Sequence, residues 1–86
     1  MQSTVLHFPC KFLIKIMGLA DPDFEGIVVA ILNQHVPDLG EGAIVTKYSK
    51  GGKYLSITAT IRATSQAQLD ALYRALSGHP KILMVL

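Results

Sequence analysis

Four short runs of this chain carry strand patterning and two carry helical patterning. Their order, strand–helix–strand–strand–helix–strand, is what most restricts the fold. "CKFLIKIM" (10–17) sets Cys10, Phe12, Ile14 and Ile16 on one side and Lys11, Leu13, Lys15 and Met17 on the other; a period of two is strand geometry. Gly18 punctuates the run. "DPDFEGIVVAILNQHV" (21–36) then opens with Asp21 as N-cap and Pro22 at the first helical position, where its missing N–H is harmless. Asp23 and Glu25 suit the positive end of the helix dipole. Phe24, Ile27, Val28, Ile31 and His35 recur at helical spacing, and Pro37 forbids continuation. Gly26 weakens this helix by about 1 kcal/mol relative to alanine, which suggests a neighbour in close approach.

"GAIVTKYS" (42–49) and "KYLSITATIRA" (53–63) are rich in β-branched and aromatic residues around Gly51-Gly52, and read as a hairpin. "SQAQLDALYRALSG" (65–78) begins with Ser65 and Gln68 in capping-box spacing. Its apolar stripe is Leu69, Leu72, Tyr73 and Leu76; Gly78 stops it and Pro80 follows. "KILMVL" (81–86) is a closing strand. Right-handed crossovers place the first strand beside the third, the second and fourth at the edges, and both helices on one face. The expected fold is an α/β sandwich, ferredoxin-like βαββαβ, with a four-stranded antiparallel sheet. Residues 1–86 form one domain, since chains divide only well beyond this length, and residues 1–9 are an irregular lead-in.

The open face of the sheet is the informative surface. Leu55, Ile57, Ala59 and Ile61 are expected to face the helices, leaving Tyr54, Ser56, Thr58, Thr60 and Arg62 beside Lys11, Leu13, Lys15 and Met17. Ferredoxin-like RNA-binding modules stack bases on aromatic residues at the centre of this face. Thr58 and Thr60 stand where rings would be wanted. A three-residue loop at 50–52 would pair Tyr48 with Tyr54 and bring two rings together. A two-residue Gly51-Gly52 loop pairs Tyr54 with Ser49 and sends Tyr48 to the other face, and Gly-Gly favours it. Eight basic residues against six acidic ones give a net charge of +2, mild for a nucleic-acid binder. Nucleic acid is therefore a disfavoured partner. In "KILMVL" both alternating sets, Ile82/Met84/Leu86 and Leu83/Val85, are apolar, which is unusual for an edge with one solvated face. A second copy, a protein partner, the lead-in or the chain's own tail would cover it. The partner face so defined comprises Leu13, Lys15, Met17, Lys47, Thr58, Thr60, Leu83 and Val85.

No other motif assembles a chemical site. "SKGGKY" (49–54) lacks the spacing of a phosphate loop and leads into a strand, so it reads as a hairpin tip. His7, His35 and His79 have no companion at metal-ligand spacing, so no metal and no cofactor is expected. The lone Cys10 lies on the core-facing parity, where an inert thiol is usual. Nucleophile, base and oxyanion donor do not come together, and the expectation is a protein that is not an enzyme. The turn Gly18, Leu19, Ala20, Asp21 lies between a central strand and a helix N-terminus, where free N–H groups can hold a carboxylate or phosphate; a tight turn with a cap explains the same residues. "MQSTVLHFP" lacks the basic start and long apolar run of a secretory signal. The longest apolar run, "IVVAIL", is far short of the ~20 residues that span a bilayer. A cytoplasmic, non-membrane protein is expected.

"FPCKFLIKIMG", "YSKGGKYLSIT" and "ILMVL", in this order and over most of the chain, resemble the YbeD-like family of small bacterial proteins of unknown biochemical role. One departure is the Gly51-Gly52 pair, where family members more often carry a single glycine. The resemblance implies a ferredoxin-like fold similar to the ACT regulatory domains, and with it a ligand-responsive or partner-binding regulatory module. ACT domains bind amino acids at a subunit interface through the loop after the first strand; here that loop is Gly18 to Asp21. Three functions follow: a protein-interaction module using the open face and last strand, a sensor of an amino acid or small carboxylate at Gly18–Asp21, and a weak nucleic-acid binder using Lys11, Lys15, Lys47 and the hairpin lysines.

Overall fold

Two ten-residue strands lie side by side at the centre of the sheet. In the computed structural model, which describes residues 7–40 and 42–86, β1 (Cys10–Leu19) pairs antiparallel with β3 (Tyr54–Ala63) without interruption, from Cys10 opposite Ala63 to Leu19 opposite Tyr54. β2 (Ile44–Tyr48) flanks β3, and β4 (Ile82–Val85) flanks β1, giving the order β2-β3-β1-β4. Helices α1 (Phe24–His35) and α2 (Gln66–Ser77) supply the second layer. The βαββαβ sandwich and its central β1–β3 pair are those expected from the sequence.

The core is one contiguous set of aliphatic side chains around Phe24. β1 contributes Ile14 and Ile16; β3 contributes Leu55, Ile57, Ala59, Ile61 and Ala63; α2 contributes Leu69, Leu72 and Leu76. Burying each large side chain stabilises the fold by about 1.5–3 kcal/mol. Among the described residues no polar side chain is buried, so burial of apolar surface is the main term holding the two layers together. On α1 the buried line is Phe24, Val28 and Leu32, continued by Val36. That i, i+4 ridge differs from the expected stripe: Ile27, Ile31 and His35 sit half-exposed at its margin.

The start of α1 also departs from expectation. The N-cap is Asp23, without a side-chain cap bond. Pro22 lies in the preceding turn, where Phe24 N–H donates to the Asp21 carbonyl. β1 runs on through Gly18 to Leu19, so Gly18 is a strand residue that approaches its neighbours closely. A Cβ at this position would strike the Phe24 ring and lie 2.6 Å from the Lys81 carbonyl oxygen. Gly26, expected to be the close-approach glycine, faces open space.

At α2, Ser65 Oγ accepts the Gln68 N–H at 3.0 Å, which is half of the expected capping box. Gln68 does not return to Ser65. Its Oε1 accepts the Thr64 N–H at 2.7 Å, and its Nε2 donates to the His35 carbonyl at 2.8 Å. One amide thus satisfies a carbonyl left over at the end of α1 and ties the two helices.

β4 carries a bulge. Val85 stands opposite Ile16 and Met84 opposite Met17, but Ile82 stands opposite Gly18, leaving Leu83 as the additional residue. A bulge changes side-chain parity. Ile82 and Val85 therefore both turn to the core, while Met84 and Leu86 fall on the open side. Strict alternation had grouped Val85 with Leu83 on the partner face; the structure moves Val85 off it. In the hairpin, Tyr48 stands opposite Leu55, and Ser49 N–H donates to the Tyr54 carbonyl at 2.8 Å. This is the register expected of a two-residue loop. The turn itself is centred one residue early: Gly52 N–H donates to the Ser49 carbonyl, and Gly51 and Gly52 both have positive φ, 88° and 74°.

The two glycines make a paired prediction. Gly18→Ala should destabilise by about 1–3 kcal/mol through overpacking, whereas Gly26→Ala should stabilise by ~0.5–1 kcal/mol through helix propensity. Denaturant unfolding measures both. Gln68→Ala should cost about 1–2 kcal/mol by orphaning its backbone partners, a fall in Tm of several degrees at this size. Gln66→Ala, which loses only an exposed contact to Asp70, should change stability by no more than about 0.5 kcal/mol.

Candidate interaction face

Because β1 and β3 pair without interruption, side chains on the open face fall into rows. One row runs Lys47, Ser56, Met17, Met84; the next runs Val45, Thr58, Lys15, Leu86. Thr60 beside Leu13, and Arg62 beside Lys11, complete the face towards one end; Tyr54 beside Leu19 closes the other. A half-buried spine of hydroxyls on β3 is thus flanked by exposed aliphatic and thioether groups. Leu13, Val45 and Leu86 are each about 60% exposed and Met84 is 50% exposed. Leu83, on the bulge, is exposed as well. Of the residues assigned from the sequence to a partner face, Leu13, Lys15, Met17, Lys47, Thr58 and Thr60 share this surface. Val45, Met84 and Leu86 were missed. Nothing in "KILMVL" marks the bulge that brings Met84 and Leu86 round.

Charge is also sorted. Lys11, Lys15, Lys47 and Arg62 lie on the open face and Lys50 and Lys53 at the hairpin tip, six of the chain's eight basic residues. Among the described residues no strand contains an Asp or Glu. Lys11 and Arg62 stand directly opposite one another, a like-charge cross-strand pair that weakens a sheet. Among the described residues Tyr54 is the aromatic residue with open-face parity; Tyr48 has the opposite parity, though it joins Tyr54 in lining the smaller concavity at that end, and Lys53 Nζ lies 5.5 Å from the Tyr54 ring centroid.

The loop read as a ligand site is closed by its own bonds. Gly18 is buried within β1 and Leu19 pairs with Tyr54. Ala20 N–H donates to the Lys53 carbonyl at 2.9 Å, and Asp21 N–H to the Leu19 carbonyl at 2.8 Å. The Asp21 carboxylate faces Lys81 Nζ at 3.2 Å, and Asp23 reaches the same ammonium at 3.4 Å. These partners, Asp21 first, hold the Lys81 ammonium above its ordinary pKa. A raised lysine pKa means the lysine side of the contact is charged at neutral pH and is lost as pH climbs through its folded-state value, in alkali. All three side chains are exposed, so the contact is screened and weak.

Two concavities adjoin the open face. The larger, about 720 Å³, lies at the end of the sheet away from Gly18–Asp21 and is lined by Pro9, Lys11, Asp38, Gly40, Thr60 and Arg62, among others. The smaller, about 190 Å³, lies between Lys15, Met17, Lys47 and Tyr54. Neither is legible as a motif, because each depends on how loops meet strand ends. Cys10 is a half-buried free thiol packed against the core, and His79 Nδ1 accepts the Lys81 N–H at 3.1 Å. Among the described residues no group of three His, Cys, Asp or Glu side chains could hold a metal, and no helix is long and apolar enough to cross a membrane. The lead-in residues 1–6 lie outside the described part of the chain.

Comparison with known proteins agrees with the sheet-and-helix geometry. The chain is 42% identical over 85 residues to a UPF0250 protein of Paraburkholderia phytofirmans, covering 99% of this chain and 96% of that one. It is 46% identical over 83 residues to a UPF0250 protein of Janthinobacterium, covering 96% and 91%. The solution structure of protein HP0495 from H. pylori superposes with a TM-score of 0.75, at 13% identity, over 99% of this chain and 89% of that one; at that identity the likeness speaks to the fold alone. Nothing in these relatives indicates catalytic activity. Residues 3–86 match the model of a family described as a protein of unknown function (DUF493), and the chain belongs to that family.

Proposed function

We propose that the protein is a non-catalytic interaction module that docks a protein partner on the open face of its sheet. The observation that carries the reading is one-sided coverage: α1 and α2 seal one face, while on the other exposed Leu13, Met84 and Leu86 lie around half-buried Met17 as one apolar group. Such contiguous groups, unlike single exposed leucines, mark interaction sites. The bulge at Leu83 distorts the β4 edge, and a distorted edge resists addition of a further strand. Docking is therefore onto the face. A regulatory role rests on the family resemblance alone. A carboxylate at Gly18–Asp21 finds the N–H groups of Ala20 and Asp21 already bonded to Lys53 and Leu19, so the sensor reading has less support.

Position-specific photocrosslinking in the native cell tests this. A photoreactive residue at position 13 or 84 should give a discrete protein adduct, and the same residue at Glu25 or Arg74 should give none. Adducts only from the helix layer would contradict the reading. Because Leu13 and Met84 are exposed, replacing both with serine should shift stability by only about 0.5 kcal/mol each while abolishing the adducts from neighbouring positions.

A further inference from the structure

Resting on that reading, we infer that the partner presents an acidic amphipathic helix: an apolar stripe seated on Leu13, Met17, Met84 and Leu86, flanked by carboxylates that meet Lys15, Lys47 and the Lys11–Arg62 pair. Three observations converge. The first is the sorting of charge. The open-face strands carry four cations and, among the described residues, no carboxylate, although the chain as a whole has six acidic residues. Asp38 lines the concavity beside Lys11 and Arg62, so the net charge of +2 conceals strands of one sign with a single carboxylate at one end. The second is the Lys11–Arg62 pair. Placing like charges opposite one another costs stability in the free protein, and an anionic group between them relieves the repulsion. The third is architectural. The far side of the sheet is covered by two helices, the open side by nothing of this chain among the described residues, and packing on a sheet face is a standard way for a helix to bury its apolar stripe.

The spacings fit such an occupant. Lys11 and Lys15 are four residues apart on β1, about 13 Å at strand rise. A helix rising 1.5 Å per residue spans that distance in about eight or nine residues, so two acidic side chains a little over two turns apart would reach both lysines. Between them lies Leu13. Leu86 shares the Lys15 row, and Met17 and Met84 stand one row beyond it; methionine adapts readily to an incoming apolar surface. Single-stranded nucleic acid would use the same cations, but it gains affinity by stacking bases on rings. The centre of this face is hydroxyl and aliphatic, and the ring of open-face parity, Tyr54, sits at the end beside Lys53.

The test uses the full chain and synthetic probes. A 20-residue helical peptide with leucines at three- and four-residue spacing and flanking glutamates is compared with the same peptide carrying glutamine or lysine in place of glutamate, and with a 15-nucleotide oligothymidine. Amide chemical-shift changes locate binding, and calorimetric titration measures it. The glutamate peptide should perturb 13–17, 45–47 and 84–86. It should bind more than about tenfold tighter than the lysine peptide, since juxtaposed like charges cost several kcal/mol, and should weaken as salt is raised. Lys15→Glu with Lys47→Glu should reverse the preference. Both side chains are exposed, so the fold should survive, and Lys15→Gln with Lys47→Gln gives a milder check that should only weaken binding. Equal binding of the three peptides on this face would overturn the acidic partner while leaving face docking intact. Tighter binding of the oligothymidine would overturn it in favour of nucleic acid. No binding by any peptide would also overturn it, and face docking would then stand or fall on the crosslinks from positions 13 and 84.

Discussion

The unbroken pairing of β1 with β3 is the constraint on which the rest depends. Ten consecutive residue pairs fix the parity of both central strands together, and a slip of one residue would turn Ile14, Ile16, Ile57 and Ala59 out of the core and Lys15 and Thr58 into it. That register supplies one side of the core and the whole of the exposed surface at once. Phe24 fills the space over Gly18, where any Cβ would collide with its ring. The helices then have one way to lie, and the face they leave bare is decided.

Much of this is legible in the sequence because period two is unforgiving. "CKFLIKIM" and "LSITATIRA" each reveal their two faces, and the order of elements sets β1 beside β3. The hairpin register is the one of two that the glycine pair favours, although the turn itself is centred on Lys50-Gly51. What is not legible depends on contacts between distant segments. Gly18 looks like a turn glycine until Phe24 and Lys81 are seen packed against it. Asp21 looks like a cap, but the turn around Pro22 delays the helix to Phe24 and leaves Asp21 facing Lys81. Gln68 looks like half of a capping box, but a second partner, the His35 carbonyl 33 residues away, redirects it.

The β4 bulge shows how one local irregularity reassigns a surface. An all-apolar strand hides its own parity, since either set of side chains could face the core. The additional residue at Leu83 turns Val85 inward and Met84 and Leu86 outward. The apolar group on the open face is larger than alternation suggests and joins the row that holds Lys15. Apolar and cationic side chains thus interleave on one surface, which is a poor arrangement for a free face in water and a good one for meeting an amphipathic, acidic partner.

Covering of that face inside the cell is the central claim, and oxidative footprinting of methionine measures it most directly. Half-buried Met17 and exposed Met84 stand side by side on the open face, and solvent-accessible thioethers oxidise readily to the sulfoxide. The account predicts that both are oxidised in the purified protein and protected in intact cells, with protection lost when Lys15 and Lys47 are reversed in charge. Equal oxidation of Met17 and Met84 in the two settings would contradict it.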